Sequence, residues 1–453
     1  MKKYLSILAA IAVVLSLTGC SSAGVNGPTP SKPESSDSHS STEYKATDIG
    51  GTGKRPEADS MVSFSVAGDT AITTEAVTDG AMIKGGAMEP TAPAGDIAPP
   101  VEEPSIIIEP VEPTDPEIPP QAGLLTGGEW NDNAHWADWN ALYTSHEDWS
   151  SYKSLWGVKD SYRLTVTVTA NGAPLEGASV SCGNCSSAVT DNKGKAYLFS
   201  EKMPESEVKV TFQNQTKNML ADWVTGVSDL SLSCDLGEVG KDQEQKSLDF
   251  MIMCDTTGSM GDELEYLKVE LENIVRKIKS DNSNIPVHTS VNFYRDEGDE
   301  YVVRQFPFTD DIEQAAKAIQ EQSANGGGDF PEAVHTALDS AINNHDWCEN
   351  SVKIMFLVLD APPHDDAQIV DSVNKSIREA AEKGIRIVPI ASSGIDKSTE
   401  YLLRTMAFTT GGTYTFLTDD SGVGGSHLKP TVGAYNVEKL SDMMIRIVNS
   451  YLA

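Results

Sequence analysis

The sequence predicts an α/β protein, a doubly wound and mostly parallel sheet preceded by a small antiparallel β-sandwich and a disordered N-terminal tether. Three observations carry this expectation. From residue 247 onward, apolar strands alternate with helices whose apolar positions recur at three and four, as in a parallel sheet covered on both faces. Between Tyr162 and Leu236, short runs of period two are separated by turn residues. From Ser21 to Pro120 lie 14 of the 23 prolines, many acidic residues and no sustained apolar periodicity.

Taken in chain order, the first segment stands apart from the fold. Lys2 and Lys3 precede an apolar stretch from Leu5 to Leu17 that ends in Leu17-Thr18-Gly19-Cys20, so residues 1–19 read as a secretory signal, too short to span comfortably as a mature helix. The ending resembles the bacterial lipoprotein box. That resemblance implies cleavage before Cys20, lipidation of its sulfur and anchoring at the extracellular face of a cell membrane. An ordinary signal peptide with an incidental cysteine is the alternative. Residues 20–125, with "VEEPSIIIEPVEPTDPEIPP", read as an extended spacer. The formal charge of −33 repels phosphate backbones and excludes nucleic acid as an expected partner.

Residues 126–158 hold five of the seven tryptophans. Trp136, Trp139 and Tyr143 share one helical face, and the segment reads as an apolar arm packed over the next domain rather than a sugar-binding platform. Residues 160–238 supply "RLTVTVT", "ASVSC", "KAYLF" and "EVKVTF" as strands of the sandwich. Apart from Cys20, five cysteines remain: Cys182, Cys185, Cys234, Cys254 and Cys348. Cys182 and Cys185 form a CxxC between predicted strands, with no His or second CxxC nearby to complete a zinc set. In an exported protein this reads as a structural disulfide, with Cys234 as an alternative partner.

The α/β region, residues 247–453, carries the chemistry. Its apolar strands Met251–Cys254 and Ile354–Leu359 each run into an aspartate, Asp255 and Asp360. Parallel strands present their C-terminal ends along one rim, where ligands of open α/β sheets bind. Two carboxylates meeting there repel unless a cation or a proton lies between them. Thr257 and Ser259 can add hydroxyl oxygens, and Asp329 sits on the glycine-rich "NGGGDFPEAV" just before a helix. Oxygen ligands with room for water suit Mg²⁺, with Mn²⁺ or Ca²⁺ as alternatives. The acidic "RDEGDE" reads as a solvated hairpin tip, and "APPHDD" as a helix start with acids at its positive end. "GSMGDE" lacks the lysine and spacing of a nucleotide loop.

Two resemblances extend this reading. The pattern V-x-V-x-x-N-G-x-P-L-x-G-A-x-V followed by T-D-x-x-G resembles the prealbumin-like carboxypeptidase regulatory domain, which implies an adaptor module without catalytic residues. "DTTGSM", "FYRDEGDEY", "GGGDFPEA" and the aspartate ending "VKIMFLVLD" resemble the von Willebrand factor type A domain, a Rossmann-like fold with a metal-ion-dependent adhesion site. This implies Asp255, Thr257 and Ser259 as the first metal loop and Asp360 as the third. Asp329 falls where many relatives have a threonine. The function so implied is a lipid-anchored, surface-exposed protein, not an enzyme, that binds a protein ligand through an acidic side chain and a divalent ion. The alternatives are a metal-dependent phosphoester hydrolase and a structural envelope lipoprotein. A haloacid dehalogenase-type phosphotransferase would need a second Asp where this chain has Thr257.

Overall fold

The computed structural model describes residues 121, 123–240 and 246–453, together with the backbone of the short strand β1, Thr47–Ile49. The signal, Cys20 and almost all of the expected tether lie outside the described residues. Within that tether span, β1 pairs antiparallel with Val303–Gln305.

The tryptophan-rich arm forms β2 (Thr126–Trp130), α1 (Trp136–Ser145) and α2 (Trp149–Leu155). Two four-stranded sheets follow, made from β3 (Tyr162–Ala170), β4 (Ala173–Pro174), β5 (Ser179–Cys182), β6 (Ala188–Val189), β7 (Lys195–Ser200), β8 (Glu207–Phe212), β9 (Gln215–Leu220) and β10 (Asp229–Asp235). Leu164, Val166 and Val168 of β3 are buried, as are Val208 and Val210 of β8, and they share one apolar core. One pairing departs from the antiparallel expectation: β10 runs parallel to β3, from Asp229 opposite Arg163 to Asp235 opposite Thr169. The first and last strands of this region are joined through all the others. That is a long enough crossover for a parallel pair, which no hairpin could supply. Cys182 and Cys185 are joined in a disulfide, and Cys234 is a buried free thiol.

The α/β part runs β11 (Ser247–Asp255), α3 (Gly261–Asp281), β12 (Val287–Tyr294), β13 (Val303–Gln305), α4 (Ile312–Gln320), α5 (Val334–Asn343), β14 (Ser351–Leu359), α6 (Ala367–Lys383), β15 (Ile385–Ala391), α7 (Lys397–Thr410), β16 (Tyr414–Leu417), β17 (Glu438–Lys439) and α8 (Leu440–Leu452). The sheet order is β1-β13-β12-β11-β14-β15-β16-β2-β17. The five central strands, β12 to β16 in that order, are mutually parallel. Every residue of β11 after Ser247 is buried, as expected of a strand covered on both faces. Met251 and Met253 join the core with α5, α6, α7 and the arm, while Phe250 and Ile252 are equally buried on the opposite face.

The arm is therefore part of this sheet. β2 pairs antiparallel with β16, Trp130 opposite Tyr414, and β17 pairs with β2 in turn. All five arm indoles are buried, which leaves no aromatic platform facing water. Trp139 and Trp149 pack on Tyr401 of α7, with ring centroids 5.1 and 5.2 Å away. Beneath them α7 runs for 14 residues. Tyr401 to Phe408 are buried without interruption, so the helix has no polar stripe to betray its period.

Candidate metal centre

From β11 the chain runs to β12 on one side of the sheet, and it later returns to place β14 on the other side. The carboxyl ends of β11 and β14 therefore define a topological switch point. Asp255 ends β11, and Asp360 directly follows β14, the parallel strand paired with β11 through Cys254 opposite Val358. The predicted convergence is present in the geometry.

Asp255 is fully buried. Thr257 donates its N–H (2.8 Å) and its hydroxyl (2.7 Å) to Asp255 Oδ1, fixing that carboxylate from its own loop. Oδ2 of Asp255 has no hydrogen-bond partner. Ser259 Oγ lies 3.3 Å from Thr257 Oγ1 and also hydrogen-bonds the Asp360 side chain. Asp360 Oδ1 is likewise buried and unpartnered. Burial, and then the charge of Asp360, pushes the Asp255 carboxyl up to about 7; burial pushes Asp360 up to about 6. Carboxyls held this way accept a proton or a cation readily.

The glycine-rich loop closes over the first. Gly258 N–H donates to Gly326 O (3.2 Å) and Asn325 N–H to Thr256 O (3.0 Å). Gly327 has φ +73°, and a Cβ there would stand 2.9 Å from Glu332 Oε1 and 3.4 Å from Thr257 Cβ. Only glycine leaves this space open. Asp329 is exposed and lines the mouth of a cleft of about 490 Å³ together with Ser259, Glu332 and Asp360. Beside the buried carboxylates lies Glu332, 3% exposed, whose N–H donates to Pro362 O (2.8 Å) and whose Oε2 has no partner. Burial, and then the charges of Asp255, Asp296 and Asp360, pushes its carboxyl up to about 9. Sequence reasoning missed Glu332 because an acid just ahead of a helix reads as a solvated charge at the dipole. The tie that buries it is a backbone bond to a distant loop.

The acidic "RDEGDE" segment is exposed at its tip, at Glu297, Gly298 and Glu300, while its base is packed. Asp299 Oδ2 accepts from Gly327 N–H (2.8 Å) and Asp296 N–H (3.1 Å). His364 Nε2 lies 3.1 Å from Asp296 Oδ1, so this histidine braces the third loop against that segment. Glu263, at the start of α3, accepts from the Ser393 N–H (3.2 Å) and hydroxyl, tying in the loop after β15.

Residues 247–426 match the family model of the von Willebrand factor A domain. An ariadne-like RING finger protein of Acanthamoeba polyphaga mimivirus is 32% identical over 133 residues, 29% of this chain and 13% of that protein, so the chain spans about an eighth of this relative's length. A solved structure, the conserved hypothetical protein BatB from Bacteroides thetaiotaomicron, is similar to 46% of this chain and 99% of its own, at 14% identity and a TM-score of 0.32.

Proposed function

We propose that this chain is an exported protein, anchored through a lipidated Cys20, whose von Willebrand factor A-type domain captures a protein partner through a divalent cation. One observation carries the reading. Three carboxylate oxygens from three loops, on Asp255, Glu332 and Asp360, are buried at the switch point without a hydrogen-bond partner. A buried acceptor with no donor is costly unless a proton or cation supplies the missing interaction. Asp255, Thr257, Ser259 and Asp360 are the residues that would hold the ion, with Glu332 and Asp329 lining the cleft beside them. All are hard donors, which suits Mg²⁺, Mn²⁺ or Ca²⁺. Bound there, the ion supplies Lewis acidity toward an oxygen of the partner, most simply an Asp or Glu side chain.

The chain's own residues favour binding over hydrolysis. Thr257, at the position where a haloacid dehalogenase-type phosphotransferase needs its acid/base, spends its hydroxyl on Asp255. The two smaller sheets that precede the domain, with the carboxypeptidase-regulatory-like pattern, act as an adaptor between tether and domain. Calorimetry of the full chain is expected to register one equivalent of Mg²⁺ or Mn²⁺. Asp255→Ala and Glu332→Gln should each weaken uptake by about tenfold or more, and surface partners should be retained on the chain in Mg²⁺ but released by chelator. Absence of uptake of both ions by the folded wild type would overturn the proposal.

A further inference from the structure

A second cluster of ligand-type side chains lies at the other end of the sheet. Asp249, near the start of β11, is fully buried and sits in register with His288 on β12. Asp249 Oδ1 is 2.8 Å from His288 Nδ1. Cys348, on the turn before β14, brings its Sγ to 3.8 Å from the same nitrogen. One oxygen, one nitrogen and one sulfur thus lie within 4.8 Å of one another.

We propose that Asp249, His288 and Cys348 form a transition-metal site of the zinc class, separate from the oxygen-lined centre at the Asp255 rim. The donor set decides the class of ion. A thiolate and an imidazole beside one carboxylate select a borderline-soft ion and disfavour Mg²⁺ or Ca²⁺. The carboxylate is oriented as a ligand needs to be: Asp249 Oδ2 accepts from the Cys348 N–H (2.6 Å) and the Ser351 hydroxyl (2.8 Å), leaving Oδ1 for the shared point. With metal–sulfur bonds of about 2.3 Å and metal–nitrogen bonds of about 2.0 Å, a tetrahedral ion separates S and N by about 3.5 Å. The observed 3.8 Å needs little adjustment, while the 2.8 Å O···N hydrogen bond opens as metal replaces the proton on Nδ1. One carboxylate and one thiolate balance a doubly charged ion. His288 and Cys348 are half-buried, which leaves a fourth position open to water.

A nucleophilic Cys–His–Asp relay does not fit the same atoms. In a relay the thiol and the carboxylate address opposite ring nitrogens, and in this cluster both face Nδ1. The cluster joins β11, β12 and the turn into β14, so an ion there staples the amino ends of the central strands.

Co²⁺ is the probe. Titrated into the full chain with excess Mg²⁺ present to occupy oxygen-only sites, it is expected to give a thiolate-to-cobalt charge-transfer band that saturates at one equivalent. Zn²⁺ should abolish the band. Cys348→Ser should lose it, and Asp255→Ala should keep it. No band in wild type, or a band that survives in Cys348→Ser, overturns the assignment. Should Cys348→Ser fail to fold, wild-type alkylation decides. Zn²⁺ must slow iodoacetamide labelling of Cys348, read by peptide mass spectrometry, about tenfold or more, and unchanged labelling overturns the assignment.

Discussion

Asp255 has exchanged water for two donors on one oxygen and none on the other. Its raised carboxyl, with those of Asp360 and Glu332, makes a prediction with a definite sign. Unfolded, these acids titrate near pH 4; folded and without metal they do so at about 7, 6 and 9. Their contribution to stability is therefore full below about pH 4 and is lost as pH rises through the folded values. In chelator at pH 8, Asp255→Asn is expected to unfold at higher urea than wild type, by on the order of a few kcal/mol. The gain should vanish near pH 4, and in Mg²⁺ the order should reverse. Equal stability of the two proteins at pH 8 in chelator would refute this account. Gly327→Ala probes the same site by shape. Its added methyl meets Glu332 Oε1 at 2.9 Å on a backbone with φ +73°, so Mg²⁺ affinity should fall about tenfold or more with far-UV dichroism unchanged.

The tryptophan arm changes what counts as the α/β domain. Arg404 of α7 is buried, bonded to Asp132 through Nε (3.0 Å) and Nη2 (2.7 Å), and lies 4.9 Å and 5.4 Å from the Trp139 and Trp149 ring centroids. Asp160 accepts from Trp139 Nε1 and Tyr143 OH, both at 2.7 Å, and closes the arm against its own exit. A fragment of residues 247–453 lacks β2, exposes the free edge of β16 and uncovers α7. It should aggregate or lose its near-UV dichroism, whereas residues 123–453 should unfold cooperatively. In the longer protein, Asp132→Ala leaves the buried Arg404 guanidinium with only Glu400 (3.5 Å) and Thr431 O (2.6 Å) as partners and should cost about 1–3 kcal/mol in urea unfolding. A well-folded 247–453 fragment would show that the arm is an accessory.

Across the whole molecule, the two smaller sheets and the large one share their interiors. Phe199 of β7 lies in the core beneath the arm, and Ala381 of α6 lies in the core of the smaller sheets. Asn192 donates to Ser450 O (2.8 Å) and Ala453 O (3.0 Å) at the end of α8, and Arg386 Nη2 donates to Val189 O (2.8 Å). These contacts lie at the amino ends of the strands, so among the described residues the two smaller sheets stand clear of the Asp255 rim. With interiors interlocked in this way, scanning calorimetry of the full chain should give one unfolding transition for both parts, raised as a unit by Mg²⁺. Two transitions, only one of them responsive to Mg²⁺, would mean that the parts are thermodynamically independent. Residue order by itself determined the central parallel strands, most of the helices that cover them, and the meeting of Asp255, Thr257, Ser259 and Asp360, because periodicity and strand ends are local properties that parallel topology carries to one rim. Only the tertiary structure decided that Glu332 lies among the buried carboxylates while Asp329 stays at the mouth, that α7 is long, that β10 runs parallel to β3 and that the arm completes the sheet. Each of those depends on burial and on hydrogen bonds between segments distant in the chain, which no local pattern records.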